Sequence, residues 1–293
     1  MRAPRPRRLI LLGATIVALL NGAEPAWAVE HVDLKLVLAT DVSGSITNDE
    51  LCLERQGTAA AFLDPDVIRA IENGALGRIA VSMLDFSSPG FGKTVIDWQI
   101  IQDRASAAAF ARAIFAIPRT PGNRTSVSNA LELGAHLIES SENEIVATRK
   151  VIDVAGDGAN NDGKPLAEIR RRVMARGIVV NGLAIMDENA NGYFPNLDKY
   201  YQACVAGGRG AFVIAVKSFR DFGAAMRRKL ILEISQDETE VKRAEDRLSQ
   251  RTLLRHIAAA QDTLSSPTLL RPGPNEHSND CNIPDARSGS RNR

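Results

Sequence analysis

LVLATDVSGSITNDE, residues 36–50, runs from an apolar stretch into an aspartate, two serines and a glycine, and then into a helix opening. The apolar part reads as a buried strand. Thr47 or Asn48 caps the helix that follows, with Asp49 and Glu50 in its first turn. A buried strand that feeds a helix is the repeating unit of a parallel sheet. Ligands bind such sheets outside the carboxyl ends of the strands, which is where Asp41, Ser43 and Ser45 stand.

The alternation continues outward from this stretch. DLKLVLAT is the first strand and TNDELCLERQGTAAAFLDPDVIRAI its helix. GRIAVSMLDFS and KTVIDWQ are two strands joined by a Ser-Pro-Gly turn, which predicts a hairpin. DRASAAAFARAIFAI is a helix ending at Pro118, and TSVSNALELGAHLIESS another with a Thr/Ser cap. RKVIDVAGDG is a strand, followed by the helix PLAEIRRRVMARG with Pro165 at its start and Gly177 at its end. IVVNGLAIM, the short helix NLDKYYQACVAGG, GAFVIAV and the closing helix SFRDFGAAMRRKLILEI complete the series. Strands apolar on both flanks and separated by helices predict a doubly wound, mainly parallel α/β sheet with one antiparallel edge strand and helices on both faces.

The two ends differ in character. Arg2, Arg5, Arg7 and Arg8, the apolar run LILLGATIVALL and the small-x-small AWA at 26–28 form a secretory signal peptide over residues 1–28, with cleavage expected after Ala28. The run is shorter than the roughly 20 apolar residues of a membrane span, so export to the periplasm or medium is expected rather than anchoring. Arg7-Arg8 leaves the twin-arginine route open beside the general one. Residues 29–235 form the α/β domain. Residues 236–293, charged and then rich in Pro, Ser and Asn, are expected to be a largely disordered tail.

Lys and Arg number 36 against 35 Asp and Glu, which disfavours a broad nucleic-acid surface. Aromatics make up only 5%, too few for a stacking face. Of Cys52, Cys204 and Cys281, the pair Cys52–Cys204 is preferred for a disulfide because both lie in the folded region, with free buried thiols as the alternative. Their spacing fits no zinc motif.

Three stretches carry candidate chemistry. GFGKT at 90–94 is similar to the end of a phosphate-binding loop, but Ser87 stands where a glycine is needed and a strand follows instead of a helix. GDGANND at 156–162 is similar to the acidic loop of haloacid-dehalogenase-type phosphotransferases. That alternative is a magnesium-dependent phosphohydrolase with Asp41 as nucleophile. Ser43 replaces the second aspartate of its Asp-x-Asp pattern, so the general acid and base is missing. The third reading joins Asp41, Ser43, Ser45, Thr125 and Asp157. In a parallel sheet their three loops emerge on one edge, and five oxygen-bearing side chains there suit a hard cation, Mg²⁺ or Mn²⁺. Three of the five are neutral hydroxyls, so much of the ion's charge stays uncompensated and a position stays open to water or a partner's carboxylate. Asp85, near the end of the second strand, could support the site from behind but reads rather as a strand-end turn residue, and Asp153, within a buried strand, needs a partner. His31, His136, His256 and His277 belong to no motif.

The D-x-S-x-S at 41–45, Thr125 with Ala130-Leu131 following, and the G-D-G at 156–158 resemble the metal-ion-dependent adhesion site of von Willebrand factor type A domains. RQGTAAAF, KVIDVAGDGANN, DKYYQACVAGGRGAFV and RRKLILEI resemble, more narrowly, an exported bacterial subfamily (DUF1194-like). The resemblance implies a cation-dependent binding module without enzymatic chemistry, whose bound ion is completed by an acidic residue of another protein.

Overall fold

The computed structural model describes residues 29–120, 122–188 and 194–235, and the backbone of 268–270. The expected signal peptide, and the tail apart from 268–270, lie outside the described residues. The order of elements is β1 (Glu30–Asp41), α1 (Asn48–Phe62), α2 (Pro65–Glu72), β2 (Ile79–Phe86), β3 (Gly92–Ile101), α3 (Arg104–Phe115), α4 (Val127–Ser140), β4 (Ile145–Gly156), α5 (Leu166–Ala175), β5 (Val179–Ile185), α6 (Leu197–Tyr200), β6 (Val213–Val216), α7 (Phe222–Ser235) and β7 (Thr268–Leu270).

One sheet holds all seven strands in the order β3-β2-β1-β4-β5-β6-β7. β1 pairs in parallel with both β2 and β4, and the β4–β5 and β5–β6 pairs are parallel too. The β2–β3 hairpin supplies the expected antiparallel edge. A second antiparallel edge comes from β7, which pairs with β6 from within the segment expected to be an unstructured tail. The chain winds outward from β1 in one direction and from β4 in the other. The crevice between their carboxyl ends is therefore the switch point at which α/β sheets bind ligands.

Burial on both faces follows from the strand period of two. Leu34, Leu36 and Leu38 of β1 pack with α1, α2, α3 and α7. Val37 and Ala39 pack with α4, α5 and α6 on the opposite face. The single helix expected over 47–71 is two helices. Pro65 cannot continue a helix but suits the first position of one, and Asp64 caps α2 by accepting from the Asp66 amide at 2.8 Å. Thr47 caps α1 in a reciprocal box with Glu50.

Charge is buried in the core as well. Asp153 of β4 finds Lys229 of α7, whose Nζ lies 3.0 Å from its Oδ1 and 2.8 Å from Glu233 Oε1. Asn181 of β5 donates to the same Glu233 oxygen at 2.9 Å and accepts from the Phe212 amide at 3.0 Å. Asp85 is not a turn residue: it is 2% exposed and takes Arg55 Nη2 at 2.7 Å. The preferred disulfide also needs correction. Cys52 is free and exposed on α1, whereas Cys204 is disulfide-bonded to a partner outside the described residues. Among the described residues no helix is long and apolar enough to cross a membrane.

Candidate metal centre

Four connections meet at the switch point. β1 delivers Asp41 as its last residue, fully buried. The turn after it is closed by the Ile46 amide donating to Ser43 O at 3.1 Å, and the Ser43 amide donates back to Asp41 Oδ1 at 2.8 Å. Ser43 and Ser45 therefore curl to one side, their hydroxyl oxygens 3.1 Å apart. Ser45 Oγ then donates to Asp157 Oδ1 at 2.8 Å, joining the β1 and β4 loops directly. Gly44 contributes close approach: its amide donates to Asn123 O at 2.9 Å, and a Cβ there would stand 3.1 Å from that oxygen.

Thr125 comes from the connection before α4. Its amide donates to Asn161 Oδ1 and its carbonyl accepts from the Asn161 amide, both at 2.9 Å, which fastens it to the loop that carries Asp157. Asn160 Oδ1 accepts from the Ser128 amide at 2.9 Å, and the Asn160 amide donates to the Tyr200 hydroxyl at 3.2 Å. From the fourth connection, after β2, Ser87 Oγ donates to Arg124 O at 2.6 Å and accepts from the Asn123 amide at 2.9 Å.

The five residues singled out in the sequence are thus brought to one place. Asp41 is held well above the usual carboxylate range, first by burial and then by the charge of Asp157; Ser43 and Thr125 oppose this by hydrogen bonding. Burial likewise pushes Asp157 up to about 6, against the hydrogen bond from Ser45. Asp41 Oδ2 is buried without a hydrogen-bond partner, which leaves an acceptor unsatisfied. The donor set is all oxygen, and the uncompensated carboxylate pair is what a hard divalent ion would relieve. Among the described residues no group of three or more His, Cys, Asp and Glu could hold a metal; this set depends on its hydroxyls.

The sequence reading missed several supporting residues. Glu54 of α1 is fully buried, with neither carboxylate oxygen hydrogen-bonded, and lies within the field of Asp41. Its signal was present: with Leu51, Thr58 and Phe62 it occupies the buried stripe of α1. Asn160 and Asn161 lie within GDGANND, where the aspartates carry the chemical signal and the asparagines carry none. Nothing in the sequence pattern pointed to Tyr200.

Residues 31–238 match the family model described as "Protein of unknown function (DUF1194)". A comparison with curated proteins gave no match. Among solved structures the chain is similar to proximal thread matrix protein 1 from the mussel byssus, described with a zinc-occupied MIDAS motif. Identity is 16%, coverage is 71% of this chain and 49% of that one, and the TM-score is 0.54. It is also similar to the pilus adhesin SpaC from Lactobacillus rhamnosus GG, at 15% identity, 69% and 31% coverage and a TM-score of 0.49. A von Willebrand factor type A protein from Catenulispora acidiphila matches at 14% identity, 69% and 43% coverage and a TM-score of 0.48. The chain spans half or less of each of these proteins.

Proposed function

The chain belongs to the DUF1194 family, and from that premise and the geometry of the switch point we propose that it is a divalent-cation-dependent protein-binding module. The observation that carries this is the run of oxygens Asp41, Ser43, Ser45 and Asp157, linked at hydrogen-bond distance across two loops, with one carboxylate oxygen left bare. Asp41, Ser43, Ser45, Thr125 and Asp157 would hold Mg²⁺ or Mn²⁺. The ion would supply an electrophilic point at the surface, and a partner protein's Asp or Glu would complete it. Ser43 stands where the phosphohydrolase pattern needs its second aspartate, the general acid and base, and this favours a non-enzymatic module. The mussel protein's MIDAS motif supports the reading by shared fold. Export to the periplasm or medium is part of the proposal; the signal-like residues 1–28 and the disulfide at Cys204 support it.

Calorimetric titration of Mg²⁺ and Mn²⁺ into EDTA-stripped protein tests the site. One-site binding in the native chain that vanishes in Asp41→Ala is expected, and a Glu-bearing peptide held in Mg²⁺ should be released by EDTA. Binding unaltered in Asp41→Ala would refute the assignment. Turnover of aryl phosphates lost in Asp41→Asn would favour the phosphohydrolase instead.

A further inference from the structure

Two glycines clear a path across the sheet to Asp41. Gly182 lies in β5 and Gly156 ends β4. A Cβ on Gly182 would stand 2.7 Å from Tyr201 Cδ1. A Cβ on Gly156 would stand 2.9 Å from the Tyr201 hydroxyl oxygen and 3.1 Å from Asp41 Oδ2. The Tyr201 ring therefore lies over two neighbouring strands at the positions where they lack side chains. Its hydroxyl arrives beside the carboxylate at the end of a third strand.

Both polar ends of this arrangement are bare. Tyr201 is fully buried, and neither its hydroxyl nor Asp41 Oδ2 has a hydrogen-bond partner. Leaving a buried donor unmade is costly, and here the missing acceptor borders the same small space above Gly156. Tyr201 also opens a turn of π-helix, Tyr201–Val205, a distortion that recurs at functional sites. The two adjacent tyrosines divide the site between them. Tyr200 steadies the loop of Asp157 through Asn160, and the Tyr201 hydroxyl and Asp41 Oδ2 both border the space above Gly156.

We propose that Tyr201 is a positioning residue for the cation: with the ion bound, its hydroxyl donates to Asp41 Oδ2, directly or through one water, and fixes the carboxylate behind the metal. This rests on the cation-site reading above. Partners that orient metal ligands from behind are worth about 10- to 100-fold in affinity.

The test is Mn²⁺ calorimetry on the intact, EDTA-stripped chain and on Tyr201→Phe, with ultraviolet difference spectra recorded on adding Mg²⁺. The variant should bind Mn²⁺ about 10- to 100-fold more weakly, while its metal-free melting temperature matches or exceeds the native value. A merely structural tyrosine would show the reverse. The native tyrosine band should shift on Mg²⁺ addition, and Tyr201→Phe should lose that shift. Native affinity in Tyr201→Phe overturns the proposal. Should the variant not fold, the native spectrum decides, and its failure to shift at saturating Mg²⁺ overturns the proposal equally. Absence of cation uptake by the native chain overturns the cation reading, and this inference with it. Uptake with unchanged affinity in the variant overturns this inference alone.

Discussion

Glu54 is a carboxyl group where an apolar residue would pack. Its side chain is shut away from water with neither oxygen hydrogen-bonded. Burial, and next the charge of Asp41, push its pKa well above the ordinary glutamate value. A group whose pKa is raised by folding contributes most stability below its unfolded pKa and loses that contribution as pH rises. Glu54→Met should therefore raise the melting temperature by a few degrees, and the gain should widen from pH 5 to pH 8. A gain that shrinks with pH would show that the carboxylate has a compensating partner in solution. Such a residue keeps a carboxyl group within the field of Asp41 at the expense of the helix that carries it.

At the scale of elements, α1 and α7 meet through two glycines. A Cβ on Gly57 would lie 2.9 Å from Gly223 Cα, backbone against backbone, so neither helix can accommodate a methyl group without moving. Gly57→Ala should cost about 1–3 kcal/mol, the usual range for overpacking, read as a lowered denaturant midpoint. An unchanged midpoint would mean the helices separate freely. The alternation of buried strands and capped helices was legible because each element states its own period and its own ends: Thr47 with Glu50 in the first turn, Pro165, Gly177. Where the reading merged α1 with α2, apolar periodicity ran on past Asp64-Pro65 and outweighed the breaker. The five oxygens of the candidate site were legible because topology alone brings three loops to one edge. Their supports were not. Asn160, Ser87 and Tyr200 act through backbone contacts that depend on how loops fold back, and the match of Asp153 with Lys229 depends on which helix lands on which strand.

For the molecule as a whole, that buried cluster ties α7 to the middle of the sheet. Asp153 on β4, Lys229 and Glu233 on α7 and Asn181 on β5 form one connected group without solvent access. Burial, and then the charge of Glu233, raise Asp153 from 3.8 to about 7, against the pull of Lys229. Because the folded state binds this proton more tightly than the unfolded chain does, its stabilisation is complete below about 3.8 and disappears as pH climbs through about 7. Thermal melts of the native protein should decline across that window, and Asp153→Asn should flatten the decline. A native profile with no slope between pH 4 and 8 would contradict this. Lys229→Met, which strands two buried carboxyl groups, should be far more damaging, by about 3–5 kcal/mol.

β7 has a bearing on how the protein can be handled. Thr268–Leu270 pairs with three residues of the four-residue β6 and occupies what would be the open flank of the sheet. Without it, a row of amide and carbonyl groups would be presented to any passing chain, the usual template for edge-to-edge association. A version shortened to the globular region at residue 240 keeps every proposed cation ligand, yet with thiols kept reduced in both it should self-associate at concentrations where the intact chain stays dispersed. The late segment, remote from the chemistry, would then serve as the chain's own guard against aggregation.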